Sequence, residues 1–306
     1  MKPASDGSCY ELVAVYVDDL AFGMKDPKSF IGTLEGKYSF KLKGSGPISF
    51  HLGCDFERDK NDTLCMVPRQ YIERLVGQYE RLFGCKPKTN VTSPLERGDH
   101  PESDTSDYLD ATGIQQYQSL IGSLQWAVSL GRLDITTAVM TMSSFCTSPR
   151  KGHLDRAKRI VAYLYRFPQA KIRFRTHEPD LSDLSAPTHD WNGTIYECQP
   201  EKVPDDVPKP LGKPVVTVSY VDANLLHDLV TGRSVTGVVH FLNATPIEWY
   251  SRKINTVETA TYGAEFASAR TCVEQPDYGD TYLTTLSWSP FACKELYVRR
   301  QRICRE

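Results

Sequence analysis

Two pairs of acidic residues and one basic stretch are the parts of this sequence that could do chemistry. Asp18 and Asp19 stand between the apolar runs 12–17 (LVAVYV) and 20–22 (LAF). Paired aspartates at a hairpin tip repel, and each raises the other's pKa. A divalent cation removes that cost. Two Mg²⁺ ions bridged by carboxylates can activate a 3′-hydroxyl and stabilise a leaving pyrophosphate. A bare Asp-Asp pair is more simply a solvated turn, since Asp is a common turn residue. The apolar strands on both sides and the Tyr16-Val17 prefix favour the metal reading. Further on, Asp222 closes the strand-like run 215–221 (VVTVSYV), and Glu265 lies on a helical stretch that can pack across the same sheet. Taken singly, Asp222 is a strand-end residue capping a turn and Glu265 a solvated helix face. Between these pairs, residues 150–175 hold nine Lys or Arg and one acid, interleaved with Tyr163, Tyr165, Phe167 and Phe174. Such a stretch can track a phosphate backbone by ionic contact and stacking, or it can be the solvated face of an amphipathic helix.

The elements that must position these groups follow from periodicity. Residues 12–22 predict a tight β-hairpin with Asp18 and Asp19 at its turn. Asp26-Pro27 starts a short helix that Gly36 ends. Phe40, Leu42, Ile48, Phe50 and Leu52 alternate as half-buried strands do, and Asn61-Asp62 turns the chain into a strand at 63–67. Tyr71, Ile72, Leu75, Val76, Tyr79, Leu82 and Phe83 follow helical spacing up to Gly84. Residues 86–112 predict a long loop, and helices are expected at roughly 114–130, 134–146 and 153–166. Residues 178–206 carry eight acids and one Lys with many Pro and Ser, which predicts a linker or extended insertion. Beyond it, 236–242 and 246–250 predict two more strands, and 257–270 a helix carrying Glu258 and Glu265. The fold class expected is α+β.

Composition narrows the alternatives. The chain has 306 residues, 40% apolar and 24% charged, with a formal net charge of −2. That suits two domains or one large one and argues against a disordered chain, collagen or a coiled coil. Nucleic-acid binding must therefore rest on local patches. No apolar run reaches the ~18 residues of a membrane span, so no membrane partner is expected, and the N-terminus does not have the pattern of a signal peptide. The nine cysteines include no C-x-x-C pair. Reduced buried thiols explain them better than a zinc knuckle or a disulfide framework. Nothing in the sequence sets an oligomeric state.

The ordered motifs resemble the pol polyprotein of copia-type retrotransposons. CYELVAVYVDDLAFGMKD (9–26) is similar to the catalytic hairpin of a reverse-transcriptase palm. ISFHLGCDFERD (48–59) and PRQYIERLVGQY (68–79) resemble the strand and helix that follow it. QYQSLIGSLQWAVSLGRLDITTAVMTMSSF (116–145) and HLDRAKRIVAYL (153–164) resemble the thumb and connection. SYVDANLLHD (219–228), GRSVTGVVHFLNATPIEWYSRK (232–253) and TVETATYGAEFASAR (256–270) resemble an RNase H domain. The resemblance runs from about residue 9 to 275.

It implies a partial palm over 1–112, a helical thumb and connection over 113–175, a linker over 176–211, an RNase H-like domain over 212–275 and a divergent tail over 276–306. It makes Asp18, Asp19, Asp222 and Glu265 catalytic, Mg²⁺-binding carboxylates. Asp228 is a weaker auxiliary acid, and His227 and His240 are surface or packing residues. Arg150, Lys151, Arg156, Lys158, Arg159 and Arg166 would face nucleic acid, either an RNA–DNA hybrid or a primer–template. The resemblance places the protein inside the cell, in a cytoplasmic particle or the nucleus. The family needs a third palm aspartate, and Asp6 and Glu11 lack a suitable strand context. No polymerase activity is therefore expected of this chain alone. The third RNase H aspartate should follow Glu265, but Asp277 and Asp280 lie in a Pro/Gly-rich loop, so that site is expected to be incomplete too. The alternative is a non-catalytic remnant that binds nucleic acid.

Overall fold

A computed structural model describes residues 2–17, 19–39, 42, 46–180, 211–213 and 215–274. It contains three small antiparallel sheets and six helices, an α+β arrangement. The first sheet joins β1 (Lys2–Pro3), β2 (Tyr10–Tyr16) and β3 (Asp19–Gly23), with β2 and β3 in register from Leu12↔Gly23 to Tyr16↔Asp19. Next comes α1 (Pro27–Tyr38). The Asp26 carboxylate caps it by accepting from the Ser29 N–H at 3.1 Å, and Pro27 occupies the first helical position. The helix runs past Gly36 to a left-handed Ser39, two residues beyond the expected stop. No residue of β2, β3 or α1 is buried.

The core forms where the helical periodicity is strongest. After β4 (Phe50–His51), β5 (Cys54–Arg58) and β6 (Leu64–Val67), α2 (Arg69–Phe83) buries Ile72, Leu75, Val76 and Tyr79, one stripe of its surface. Gly84 ends α2 at φ 69°. α3 (Ala111–Ser129) is capped by Asp110, which accepts from the Gly113 N–H at 2.8 Å, and α4 (Thr136–Ser143) and α5 (Lys151–Arg166) follow. Tyr117, Leu120, Ile121 and Leu124 of α3 meet Ala138, Val139 and Met142 of α4 and Leu154, Ile160, Val161 and Leu164 of α5. Each fully buried Leu or Ile there contributes about 1.5–3 kcal/mol.

β7 (Ile172–Arg173) then pairs with β6, Met66 opposite Ile172, and completes the second sheet in the order β4-β5-β6-β7. The tight turn after α3 needs Gly131. Its φ is 101°, and a Cβ would stand 2.9 Å from the Ile172 methyl.

The third sheet is β8 (Thr217–Asn224), β9 (Val235–Leu242) and β10 (Thr245–Lys253), with β9 in the middle. α6 (Thr261–Glu274) lies on it through Ala264, Ser268 and Cys272. The Trp249 indole N–H donates to the Val128 carbonyl at 3.1 Å, tying β10 to the end of α3. Asn243 fastens two distant stretches. Its Nδ2 donates to the Thr176 carbonyl at 3.1 Å, and its Oδ1 accepts from the Val216 N–H at 2.8 Å.

Candidate functional site

Of the hairpin's two aspartates the structure describes one. Asp18 lies outside the described residues. Asp19 is the first residue of β3, opposite Tyr16, and is exposed. Val15, Tyr16 and Val17 are exposed too, Val17 at 85%. Val17 has φ 54°, a left-handed conformation costly for a β-branched residue. Val17 is thus strained at the hairpin tip, beside strands and a helix that bury none of their described residues.

Asp222 and Glu265 come from elements that pack together, but onto different surfaces. β8 does not stop at Asp222, as expected from its sequence, but continues to Asn224. Nor is it central: among the described residues β8 is an edge strand. Val221 and Ala223 are buried while Asp222 between them is exposed. Val221 packs with Val238 and with Cys272 of α6. Alternation along a strand therefore points Asp222 to the face away from α6. Its cross-strand partner is Gly237, where a Cβ would meet nothing within 4 Å, so that face is open. Glu265 is half-buried on α6, next to the inward Ala264. Glu258 precedes the helix instead of riding on it, and accepts from the Thr256 hydroxyl at 2.7 Å.

Asp228 is occupied with holding its own loop. Its carboxylate accepts from the backbone N–H groups of Val230 and Thr231 and pairs with Lys253 at 2.5 Å. Burial would raise its pKa, but Lys253 and the Thr231 N–H hold it below the ordinary carboxylate value. His240 is buried with Nδ1 2.7 Å from the Ser219 hydroxyl, and His227 Nδ1 lies 2.8 Å from the Asn224 amide. These are packing roles. A two-metal centre needs several carboxylates converging on one point. Among the described residues no group of three or more His, Cys, Asp or Glu side chains gathers.

The basic residues of α5 are turned largely inward on the chain itself. Arg156 binds Asp99 through Nε and Nη2 at 2.8 and 2.7 Å, and Asp104 through Nη1 at 2.6 Å. Burial would raise Asp104, but Ser106 and Arg156 bring it down to about 2. Arg159 reaches Glu96 at 2.9 Å, and Lys151 reaches Asp107 at 2.8 Å. Arg150 donates to the Ser106 carbonyl at 2.5 Å and lies over the Tyr108 ring. Arg166 donates to the Val91 carbonyl at 3.1 Å, and Lys158 sits 4.2 Å from the centre of the Phe83 ring. The aromatics are engaged as well: Tyr163 packs on Phe167, and Phe174 stacks on Phe56. The signal for this arrangement was present in the loop, which carries acids at 96, 99, 102, 104, 107 and 110.

Another ionic group escaped the sequence reading. Arg132 is fully buried in the α3–α4 turn and forks onto Asp134 at 2.9 and 2.7 Å.

No protein-family profile matches the chain, and no solved structure matches it. Curated proteins do. A transposon Ty5-1 protein of Saccharomyces cerevisiae is 25% identical over 268 residues, which cover 84% of this chain and 70% of that protein. The retrovirus-related Pol polyprotein from transposon TNT 1-94 of Nicotiana tabacum is 25% identical over 261 residues, 84% of this chain and 17% of the polyprotein. The corresponding polyprotein from transposon RE1 of Arabidopsis thaliana is 26% identical over 281 residues, 92% of this chain and 16% of that one. The chain thus corresponds to a small part of the plant polyproteins. With similarity of this kind over most of its length, it is a relative of the copia-type retrotransposon Pol polyproteins, corresponding to a fragment of them.

Proposed function

We propose that this chain is a Pol segment joining the C-terminal part of a reverse-transcriptase domain to an RNase H-like domain. Its partner in this reading is an RNA–DNA hybrid or primer–template. The order of motifs along the sequence and the Pol relatives support this. We further propose that the 306-residue chain by itself catalyses neither nucleotidyl transfer nor hybrid cleavage. The observation that carries this second part is the dispersal of the acidic groups. Asp19 stands on an exposed hairpin, Asp222 on an open sheet face and Glu265 on a helix against the other face, with no third ligand gathered beside any of them among the described residues. Mg²⁺, when bound, would supply charge neutralisation for in-line phosphoryl chemistry.

The test is to incubate the purified chain with Mg²⁺ and, separately, a primer–template with nucleotides and a labelled RNA–DNA hybrid. No extension is expected, and no cleavage above that of the Asp222→Asn variant. Mg²⁺-dependent cleavage that disappears in Asp222→Asn would overturn the non-catalytic reading.

A further inference from the structure

The segment 91–108 lies as a strap along α5 and runs antiparallel to it. Val91 meets Arg166 near the helix's C-terminal end, and Ser93 and Glu96 meet Arg159. Asp99 and Asp104 meet Arg156, and Asp107 meets Lys151 at the N-terminal end. A helix of 16 residues is about 24 Å long. Over that length the strap sets carboxylates beside the cations that a phosphate backbone would otherwise contact.

The strap's contacts are of two kinds. The inner ones are fixed. Arg156 and its two aspartates are mostly shielded, Val91 and Pro101 are buried, and the His153 ring contacts the Pro101 carbonyl at 2.9 Å. The outer ones are open to water: the side chains of Glu96 and Asp107 are 71% and 81% exposed. Exposed pairs of this sort are weak and screened by salt. Lys158, between them along the helix, has no ion pair among the described residues.

We propose that Glu96 and Asp107 act as a built-in, displaceable counter-charge. They occupy Arg159 and Lys151 and so weaken the hold of α5 on a nucleic-acid backbone. This rests on the nucleic-acid partner proposed above. A duplex approaching α5 must displace two carboxylates before it gains two cations, so fewer counterions are released per binding event.

The experiment measures binding of a labelled RNA–DNA hybrid by fluorescence anisotropy over a salt series. The Glu96→Gln/Asp107→Asn variant should bind more tightly than the unaltered chain. Its slope of log K against log salt should steepen by up to ~1.8, about 0.9 for each cation released. Glu96→Gln alone should give about half of that change. Adding Lys151→Gln and Arg159→Gln to the double variant should return the slope to its starting value. An unchanged slope and affinity in the double variant, or a gain that survives loss of Lys151 and Arg159, overturns the proposal. Either result leaves the non-catalytic reading untouched, since that stands or falls on cleavage and extension alone.

Discussion

Removing the Asp134 carboxylate should be among the most damaging single changes in the helical core. Arg132 is 0% exposed, and Asp134 is its only ionic partner among the described residues, through a two-bond fork. Its third nitrogen, Nη1, is buried without a hydrogen-bond partner. The Tyr163 ring stands 5.9 Å away, a weak cation–π contact. In Asp134→Ala the guanidinium stays charged and buried with nothing opposite it. Breaking a buried pair in this way costs about 3–5 kcal/mol. Asp134 is 29% exposed, so water reaches that side of the pair and the lower end applies, about 3 kcal/mol. For a chain of this size that is a fall in Tm of about 5 °C. Urea unfolding followed by tryptophan fluorescence reads it directly, because Trp249 is bonded to Val128 beside the same turn. The decisive comparison is Arg132→Met in the Asp134→Ala background. It deletes the stranded charge while keeping apolar volume, and should recover most of the loss. A single-variant cost below about 1 kcal/mol, or a double variant as unstable as the single one, would refute the reasoning.

Two further outcomes follow from burial and protonation. His153 is buried, with Nδ1 accepting from the Arg150 N–H at 3.0 Å, and burial holds its pKa below the ordinary 6.5 despite the opposing Pro101 carbonyl. The unfolded chain therefore takes up this proton first. The stability it contributes is complete above about pH 6.5 and is lost as pH falls from there toward the folded pKa. His227, depressed by burial, acts in the same direction. The urea midpoint should drop between about pH 7.5 and about pH 5.5, and drop less in His153→Gln; equal drops would exclude His153. Leu120→Ala should cost about 2–5 kcal/mol because Leu120 is fully buried in the α2–α3–α5 core. Tyr16→Ser on the open hairpin should stay within about 0.5 kcal/mol in the same unfolding assay, and a comparable loss at the two sites would show that the hairpin is packed after all.

The helices of the core were legible because their evidence is local. Ile72, Leu75, Val76 and Tyr79 repeat at helical spacing, and Gly84 marks the stop. α1 was read two residues short because Gly36 is tolerated on a helix that buries nothing. α6 starts at Thr261, not near Val257, because Glu258 turns back to Thr256 instead of extending the helix. The strand expected around Phe50 and Leu52 is only two residues long, and both side chains are exposed, so their alternation had no surface to serve.

What was not legible depends on partners far along the chain. β7 is two residues inside a basic run, and its pairing with Cys65 and Met66 of β6, over a hundred residues earlier, gives it a reason to be a strand. The acidic strap that meets the cations of α5 lies well before them in sequence, so the basic run read by itself does not show those ion pairs. Asp222 and Glu265 were placed correctly on a strand and a helix. Which face each occupies is a matter of one residue of register, which periodicity alone does not fix.

Asn243 has a consequence for how such chains can vary in length. Because it grips Thr176 with one atom and Val216 with another, two residues far apart in sequence are fixed to a single side chain. They are held together by a side chain that belongs to neither. The cost of closing a flexible loop between two fixed points grows only with the logarithm of its length, about 0.6 kcal/mol for each doubling. A change of length between the anchors leaves the strand pairing beside them intact, whereas a change of one residue inside β8 would turn every side chain on the strand over. Neutral drift in length has a natural outlet here, and lineages descended from a common ancestor should differ most in size between these two anchor points.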